Sequence, residues 1–411
     1  MEDRKSKYLI LVGDGMADEA QKELDGKTPL DAAQTPHMDR LASSGILGLT
    51  ETIGPHQEPG SDVANMAILG YDPDRFHTGR APLEAASMGV SLLPGEVAFR
   101  CNLVTVEINP DGELILADYS AGHISSENGR ILIAALQKNL GNEWFQFYPG
   151  VSYRHLLVWR KGRSDLTITP PHDVIGQPVA EYWQVYHEVH DLRSLMESAR
   201  EVLGEQELNR QFVAQGKRPA NAIWLWGQGL APVMPSLTER FGIRGVVISA
   251  VDLLKGLGIC SGLAALSVPG ATGYLDTNYK GKVVAALDAL QDKDFVYLHV
   301  EAPDEASHEG NLGLKIEAIE AFDANVVGPI LKECRNLPDI RIMVITDHLT
   351  PIRTRTHAKG LVPFAVCDFP AGPVTSRRGF SEGSAAGTGL VVKPGHMLME
   401  RFIKGGLSQR A

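Results

Sequence analysis

Short apolar runs that end on acidic residues or histidines constrain this chain most. Tyr8-Leu-Ile-Leu-Val-Gly13 is followed at once by Asp14-Gly15. Phe295-Val-Tyr-Leu-His-Val300 leads into Glu-Ala-Pro-Asp304, and Ile340-Arg-Ile-Met-Val-Ile345 leads into Asp347-His348. Unalternating runs of this length read as strands buried on both faces. Open α/β sheets place their chemistry at the C-terminal ends of such strands. Residues 222–226 and 245–249 read as further strands of the same sheet, and helical patterns over 280–291 and 314–334 supply the βαβ alternation of a mostly parallel sheet flanked by helices.

The middle of the chain follows a different rule. Strand-like segments at 97–106, 113–118, 145–147, 155–160 and 166–169 are separated by Asn-Pro-Asp-Gly, Lys-Gly-Arg and Pro-Pro turn signals. A chain of 411 residues exceeds one ordinary core. The expected architecture is an α/β domain built from 1–94 and 183–411, with a smaller α+β domain, 95–182, inserted into it.

Composition narrows the function. Hydrophobic residues make up 44% and charged residues 22%, which excludes wholesale disorder, and the formal charge of −11 argues against nucleic-acid or anionic-membrane partners. An anionic small molecule has to be held by a local basic pocket. No apolar leader follows Met1-Glu2-Asp3-Arg4-Lys5, and no apolar run is long enough to cross a bilayer, so a cytoplasmic location is expected. Cys101, Cys260, Cys334 and Cys367 form no Cys-x-x-Cys pair and read as reduced thiols. The oligomeric state stays open.

Asp304 and His308 stand four apart, on one face of a helical turn. With Asp14, Asp347, His348 and His357 they make three carboxylates and three imidazoles at or beyond predicted strand ends. Any one Asp-x-x-x-His alone is more readily an N-cap or helix-surface pair; the convergence of three segments favours ligands. Mixed oxygen and nitrogen donors suit Mn²⁺, Zn²⁺, Fe or Co²⁺, and six suffice for two ions. Asp304, His308 and His357 form the first expected set, and Asp14, Asp347 and His348 the second. Ser61, in Gly60-Ser61-Asp62-Val63-Ala64-Asn65, opens an apolar helical run as its N-cap, where a phosphate is favoured. Beside metals its oxygen becomes both a ligand and an activated nucleophile.

These segments, together with Leu69-Gly70-Tyr71-Asp72-Pro73, Gly79-Arg80-Ala81-Pro82-Leu83-Glu84-Ala85 and Val97-Ala98-Phe99-Arg100-Cys101-Asn102, resemble the cofactor-independent (2,3-bisphosphoglycerate-independent) phosphoglycerate mutases of archaeal type, in the alkaline phosphatase superfamily. The likeness runs over nearly the whole chain. It implies two divalent cations (Mn²⁺, Zn²⁺, Co²⁺ or Mg²⁺), no 2,3-bisphosphoglycerate, a phosphoserine at Ser61, and interconversion of 3- and 2-phosphoglycerate. Arg100, His123, Arg154 and Lys280 are the candidates for substrate carboxylate and phosphate. Asn102 is expected on the opposite side of its strand from Arg100 and is left out.

Two departures stand out. Where archaeal members read Asp-Arg-Arg-Ala-Gly-Arg, this chain reads Asp118-Tyr119-Ser120-Ala121-Gly122-His123. Where they read Ser-Asp-Thr-Ala-His, it reads Ser61-Asp62-Val63-Ala64-Asn65. Each charge-assisted contact is worth about 1.5–3 kcal/mol, so the lost arginines point to a less anionic acceptor. They resemble the bacterial branch with a proposed homoserine kinase role, in which ATP is the donor and threonine biosynthesis the setting. The mutase reading rests on the motif set, the kinase alternative on the lost arginines.

Overall fold

The structure, a computed structural model, describes residues 6–335, 337, 339–374 and 376–407. It divides into two compact units, one comprising the chain up to His77 and from Val233 onward, the other Thr78–Pro232. In chain order the strands are β1 (Lys7–Gly13), β2 (Ile46–Thr50), β3 (Glu96–Ile108), β4 (Leu114–Asp118), β5 (Phe145–Val151), β6 (Arg154–Arg160), β7 (Ala222–Leu230), β8 (Gly245–Ile248), β9 (Ala264–Leu266), β10 (Phe295–Val300), β11 (Ile340–Thr346), β12 (Val362–Phe369) and β13 (Val391–Val392).

The first unit holds an eight-stranded sheet in the order β13-β2-β12-β11-β1-β10-β8-β9. From β11 to β9 the strands are parallel, while β12 runs antiparallel to both β11 and β2. Leu9, Leu11, Leu298, Ile342 and Val344 are fully buried and pack with Phe322 and Ile330 from the helical segment beneath. That segment matches the expected 314–334 pattern: helix Leu312–Phe322 passes through a π-turn, Asp323–Val327, into helix Gly328–Cys334. The Asp323 carboxylate accepts from the amides of His37 and Met38, satisfying two orphan donors at the start of helix Pro36–Ser44.

Register sets the functional end of this sheet. Gly13 pairs with Val300 on one side and Thr346 on the other, so three strands finish level and their next residues emerge side by side.

The second unit is built on a five-stranded antiparallel sheet in which β3 pairs with β4, β6 and β7, and β6 with β5. Helices Ser126–Leu140 and His190–Gly204 contribute Leu132, Leu136, Leu195 and Ala199 to its core. The unit is wider than the expected 95–182, because the helices after 182 and strand β7 complete that core. Residues 222–226, expected in the parallel sheet, lie in β7, antiparallel to β3 with Trp226 opposite Arg100. A short apolar run states burial without naming the sheet that buries it. Residues 166–169 form no strand; the carbonyl of Leu166 accepts from Gln228 Nε2 and that of Thr169 from Trp224 Nε1, side-chain donors in place of a ladder.

Candidate functional site

Asp14 directly follows β1, and Asp347 and His348 directly follow β11. Asp304 and His308 lie on helix Ala302–His308, one residue beyond the end of β10. Level strand ends therefore bring all of them together. Gly15 is required here: its φ is +60°, and a Cβ would lie 2.5 Å from Asp304 Oδ1 and 2.7 Å from Thr350 Oγ1.

In the first expected set, Asp304 Oδ2 lies 3.0 Å from His308 Nε2 and 3.4 Å from His357 Nε2, and the two imidazole nitrogens are 3.1 Å apart. His308 Nδ1 faces the Arg355 carbonyl at 2.9 Å, which turns Nε2 inward. In the second, His348 Nε2 lies 3.3 Å from Asp14 Oδ1 and 3.5 Å from Asp347 Oδ2. The sets adjoin, with the His348 and His357 ring centroids 4.1 Å apart. Asp304, His348 and His357 also stand close enough to share one ion, as do Asp14, Asp347 and His348.

Ser61 Oγ sits 3.1 Å from His348 Nε2. The cap of its helix, Ser61–Ile68, is Gly60, so Ser61 occupies the first helical position instead of the expected N-cap, and its hydroxyl faces His348. Asn65 donates to the Ser61 carbonyl over 2.8 Å and to Asp347 Oδ2 over 2.7 Å, and accepts from the Tyr297 hydroxyl.

Electrostatics match a cation. Burial, then Asp347, Asp304 and Glu301, push the Asp14 carboxyl well above the usual carboxylate range. Burial would lower His308, yet the hydrogen bond to the Asp304 carboxylate and its charge raise it to about 9. Asp14 Oδ1 and His299 Nε2 are buried without a hydrogen-bond partner among the described residues. Buried, converging carboxylate oxygens and ring nitrogens are the donor set of a divalent transition-metal site.

His299 is the residue that sequence reasoning missed. Its side chain is fully buried on β10, with Nε2 3.0 Å from Asp14 Oδ2 and Nδ1 3.3 Å from Ser249 Oγ. The signal was one histidine inside an otherwise apolar strand that pairs at Val12, two residues before Asp14.

The substrate candidates divide. In the second unit Arg100 lies 4.1 Å over the Trp226 ring with its Nε 3.0 Å from Glu84 Oε2, while exposed Arg154 lies 5.4 Å over the Tyr153 ring. Asn102, two residues along the strand from Arg100, shares its face after all and accepts from Trp226 Nε1 at 3.1 Å. Exposed His123 packs edge-on against Tyr119 and Tyr153. Arg80, noted only within a motif, joins Arg100 around Gly227. In the first unit Lys280 is exposed in the first turn of helix Tyr279–Asp292 and hydrogen-bonds none of the six candidate ligands. Among the described residues no helix is long and apolar enough to cross a membrane.

A family model described as 2,3-bisphosphoglycerate-independent phosphoglycerate mutase matches residues 42–209. A probable 2,3-bisphosphoglycerate-independent phosphoglycerate mutase from Geobacter sulfurreducens is 52% identical over 397 residues, covering 97% of this chain and 99% of its own. A 2,3-bisphosphoglycerate-independent phosphoglycerate mutase from Methanothrix thermoacetophila is 50% identical, covering 97% of this chain and 100% of its own. A solved Pyrococcus horikoshii structure is similar with a TM-score of 0.81 at 29% identity, covering 99% of this chain and 100% of that one. None of these three is named for ATP or homoserine, and the kinase alternative gains no support from them.

Proposed function

The chain belongs to the 2,3-bisphosphoglycerate-independent phosphoglycerate mutase family, and from that premise we propose that it interconverts 3- and 2-phosphoglycerate through a phosphoserine at Ser61. The observation that carries this reading is the Ser61 hydroxyl, 3.1 Å from His348 Nε2 among two sets of metal-type ligands. Asp304, His308 and His357 would hold one divalent cation and Asp14, Asp347 and His348 another, with Ser61 as a further ligand. Two such cations supply acidity to the serine hydroxyl and charge balance to the phosphoryl oxygens.

The chain's own residues do the rest. The Ser61 oxygen attacks phosphorus as the bond from phosphorus to the C3 oxygen breaks. The glycerate released stays bound, turns, and its C2 hydroxyl takes the phosphoryl group back, so no second phosphorylated cofactor is consumed. Asn65 fixes both ends of the nucleophile's surroundings, through the Ser61 carbonyl and Asp347. The Ser61 oxygen stands at the N-terminus of helix Ser61–Ile68, the positive end of the helix dipole, which favours negative charge there. Arg100, Arg154, His123 and Lys280 are proposed for the substrate's carboxylate and phosphate. A small phosphorylated substrate and a cytoplasmic setting are part of the proposal.

The test is phosphorus NMR of Mn²⁺-loaded protein with 3-phosphoglycerate, without ATP or 2,3-bisphosphoglycerate. A 2-phosphoglycerate signal that disappears in Ser61→Ala is the expected result. An unchanged 3-phosphoglycerate signal from metal-replete wild type overturns the assignment.

A further inference from the structure

Thr350 is fully buried, and both of its backbone groups are already committed. Its amide donates to the Ala17 carbonyl over 3.1 Å, and its carbonyl accepts from Lys315 Nζ at 2.9 Å. These bonds fix the loop after β11 to the loop after β1, and the hydroxyl is left for the site. Oγ1 lies 2.5 Å from Asp304 Oδ1 and 3.1 Å from His348 Nδ1. A threonine hydroxyl has one proton to give. A carboxylate oxygen can only accept, so that proton goes to Asp304. The contact with His348 must then run the other way, with Nδ1–H donating to Oγ1. His348 is thereby held as the Nδ1–H tautomer, its Nε2 lone pair turned toward Ser61, Asp14 and Asp347.

Asp304 belongs to one ligand set and His348 to the other, and one hydroxyl touches both. We propose that Thr350 is a positioning residue that couples the two cation sites. Ordering Asp304 in one set orients the hydroxyl, and the oriented hydroxyl sets the ring of the other. Outer partners of ligands carry tenfold to hundredfold effects on metal affinity. The coupling rests on the two-cation reading above, but its test does not depend on mutase activity.

Full-length protein, stripped and refolding-checked by circular dichroism, is titrated with Mn²⁺ in a calorimeter. Wild type is expected to take two ions. Thr350→Val, which keeps the shape and deletes the hydroxyl, is expected to bind at least one of them about 10–100-fold more weakly. Thr350→Ser, which restores the hydroxyl, should stay within about threefold of wild type, well under the loss assigned to the missing hydroxyl. A valine variant that titrates like wild type overturns the proposal, as does a serine variant as impaired as valine. Wild type taking fewer than two ions overturns the two-cation reading and the coupling with it. If the valine variant does not fold, ¹⁵N-histidine NMR of metal-free wild type decides, with His348 assigned by its loss in His348→Gln. Protonation at Nδ1 alone is expected, and protonation at Nε2 alone overturns the proposal.

Discussion

Lys315 Nζ donates to Asp18 Oδ2 over 2.8 Å, and neither side chain is exposed. The same ammonium reaches the carbonyls of Ala17 and Thr350, and the same carboxylate oxygen accepts from the Ile352 amide. A charge pair this deep is sustained by its partners, since removing one ion leaves the other buried and alone. Lys315→Met should therefore cost about 3–5 kcal/mol in urea unfolding. Combining it with Asp18→Asn should recover a measurable part of that loss. A single variant as stable as wild type would show that the pair does not hold the two ligand loops together.

Ser61→Ala removes one oxygen and leaves the helix intact, because Gly60 and not Ser61 is its cap. Turnover should fall by at least about a thousandfold, the scale on which a lost nucleophile is felt. Elemental analysis should still find Mn²⁺, because Asp14, Asp304, Asp347 and the three imidazoles remain. Turnover persisting in metal-replete alanine protein would falsify the covalent mechanism.

The convergence of the candidate site was legible because its acidic and histidine segments follow apolar strands, and level ends are what parallel register produces. Asp14, Asp304, His308, Asp347, His348 and His357 could be chosen without knowing the fold. Thr350, Asn65 and His299 could not, because a hydroxyl, an amide and a buried ring acquire their roles only from neighbours distant in sequence, such as Asp304, Asp347 and Asp14. The same limit misplaced residues 222–226. Ala222 to Trp226 are buried as expected, but the run carries no mark of which sheet covers it, and its pairing with β3 is set by long-range register.

His155, on β6, is 2% exposed; its Nδ1 accepts from the Gly150 amide at 3.0 Å and its Nε2 has no partner among the described residues. Burial pushes the ring down from 6.5 to about 4. Between those values the unfolded chain binds the proton and the folded chain does not, so stability is full above pH 6.5 and is lost as the pH falls toward 4. The loss attributable to this ring reaches up to about 3 kcal/mol at the acid end. In thermal melts across that window, wild type should lose up to about this much more stability than His155→Gln. Parallel pH profiles would remove His155 as the cause.

Ser120 is 1% exposed; its hydroxyl donates to Asp118 Oδ1 at 2.6 Å and accepts from the His123 amide. The residue that stands where archaeal relatives were expected to carry arginine is thus part of a buried turn. Ser120→Arg should destabilise by at least about 3 kcal/mol, from two lost bonds and a stranded charge. Tyr119 is half-buried and His123 exposed, so arginines there can reach solvent. The double exchange Tyr119→Arg with His123→Arg should fold normally and lower KM for 3-phosphoglycerate about tenfold, one charge-assisted contact's worth. An unchanged KM in the folded double variant would mean that this turn does not meet the substrate.

Removing the cations tests the ligand sets from the other side. Asp14, Asp304 and Asp347 are all buried, at 1%, 4% and 0% exposure, and Asp14 is driven toward its neutral form by burial and by the other two. Ligands that bind only the folded state add RT ln(1 + [L]/Kd) to stability, about 4 kcal/mol at a thousandfold excess over Kd. Chelation of Mn²⁺-loaded protein should therefore lower its melting temperature by several degrees, and added Mn²⁺ should restore it. Asp347→Asn should shrink that metal-dependent increment, because it weakens a carboxylate that Gly15, Asn65 and the His348 amide all hold in place. A melting temperature indifferent to chelator in the wild type would refute the two ligand sets as a metal centre, whatever the catalytic assays show.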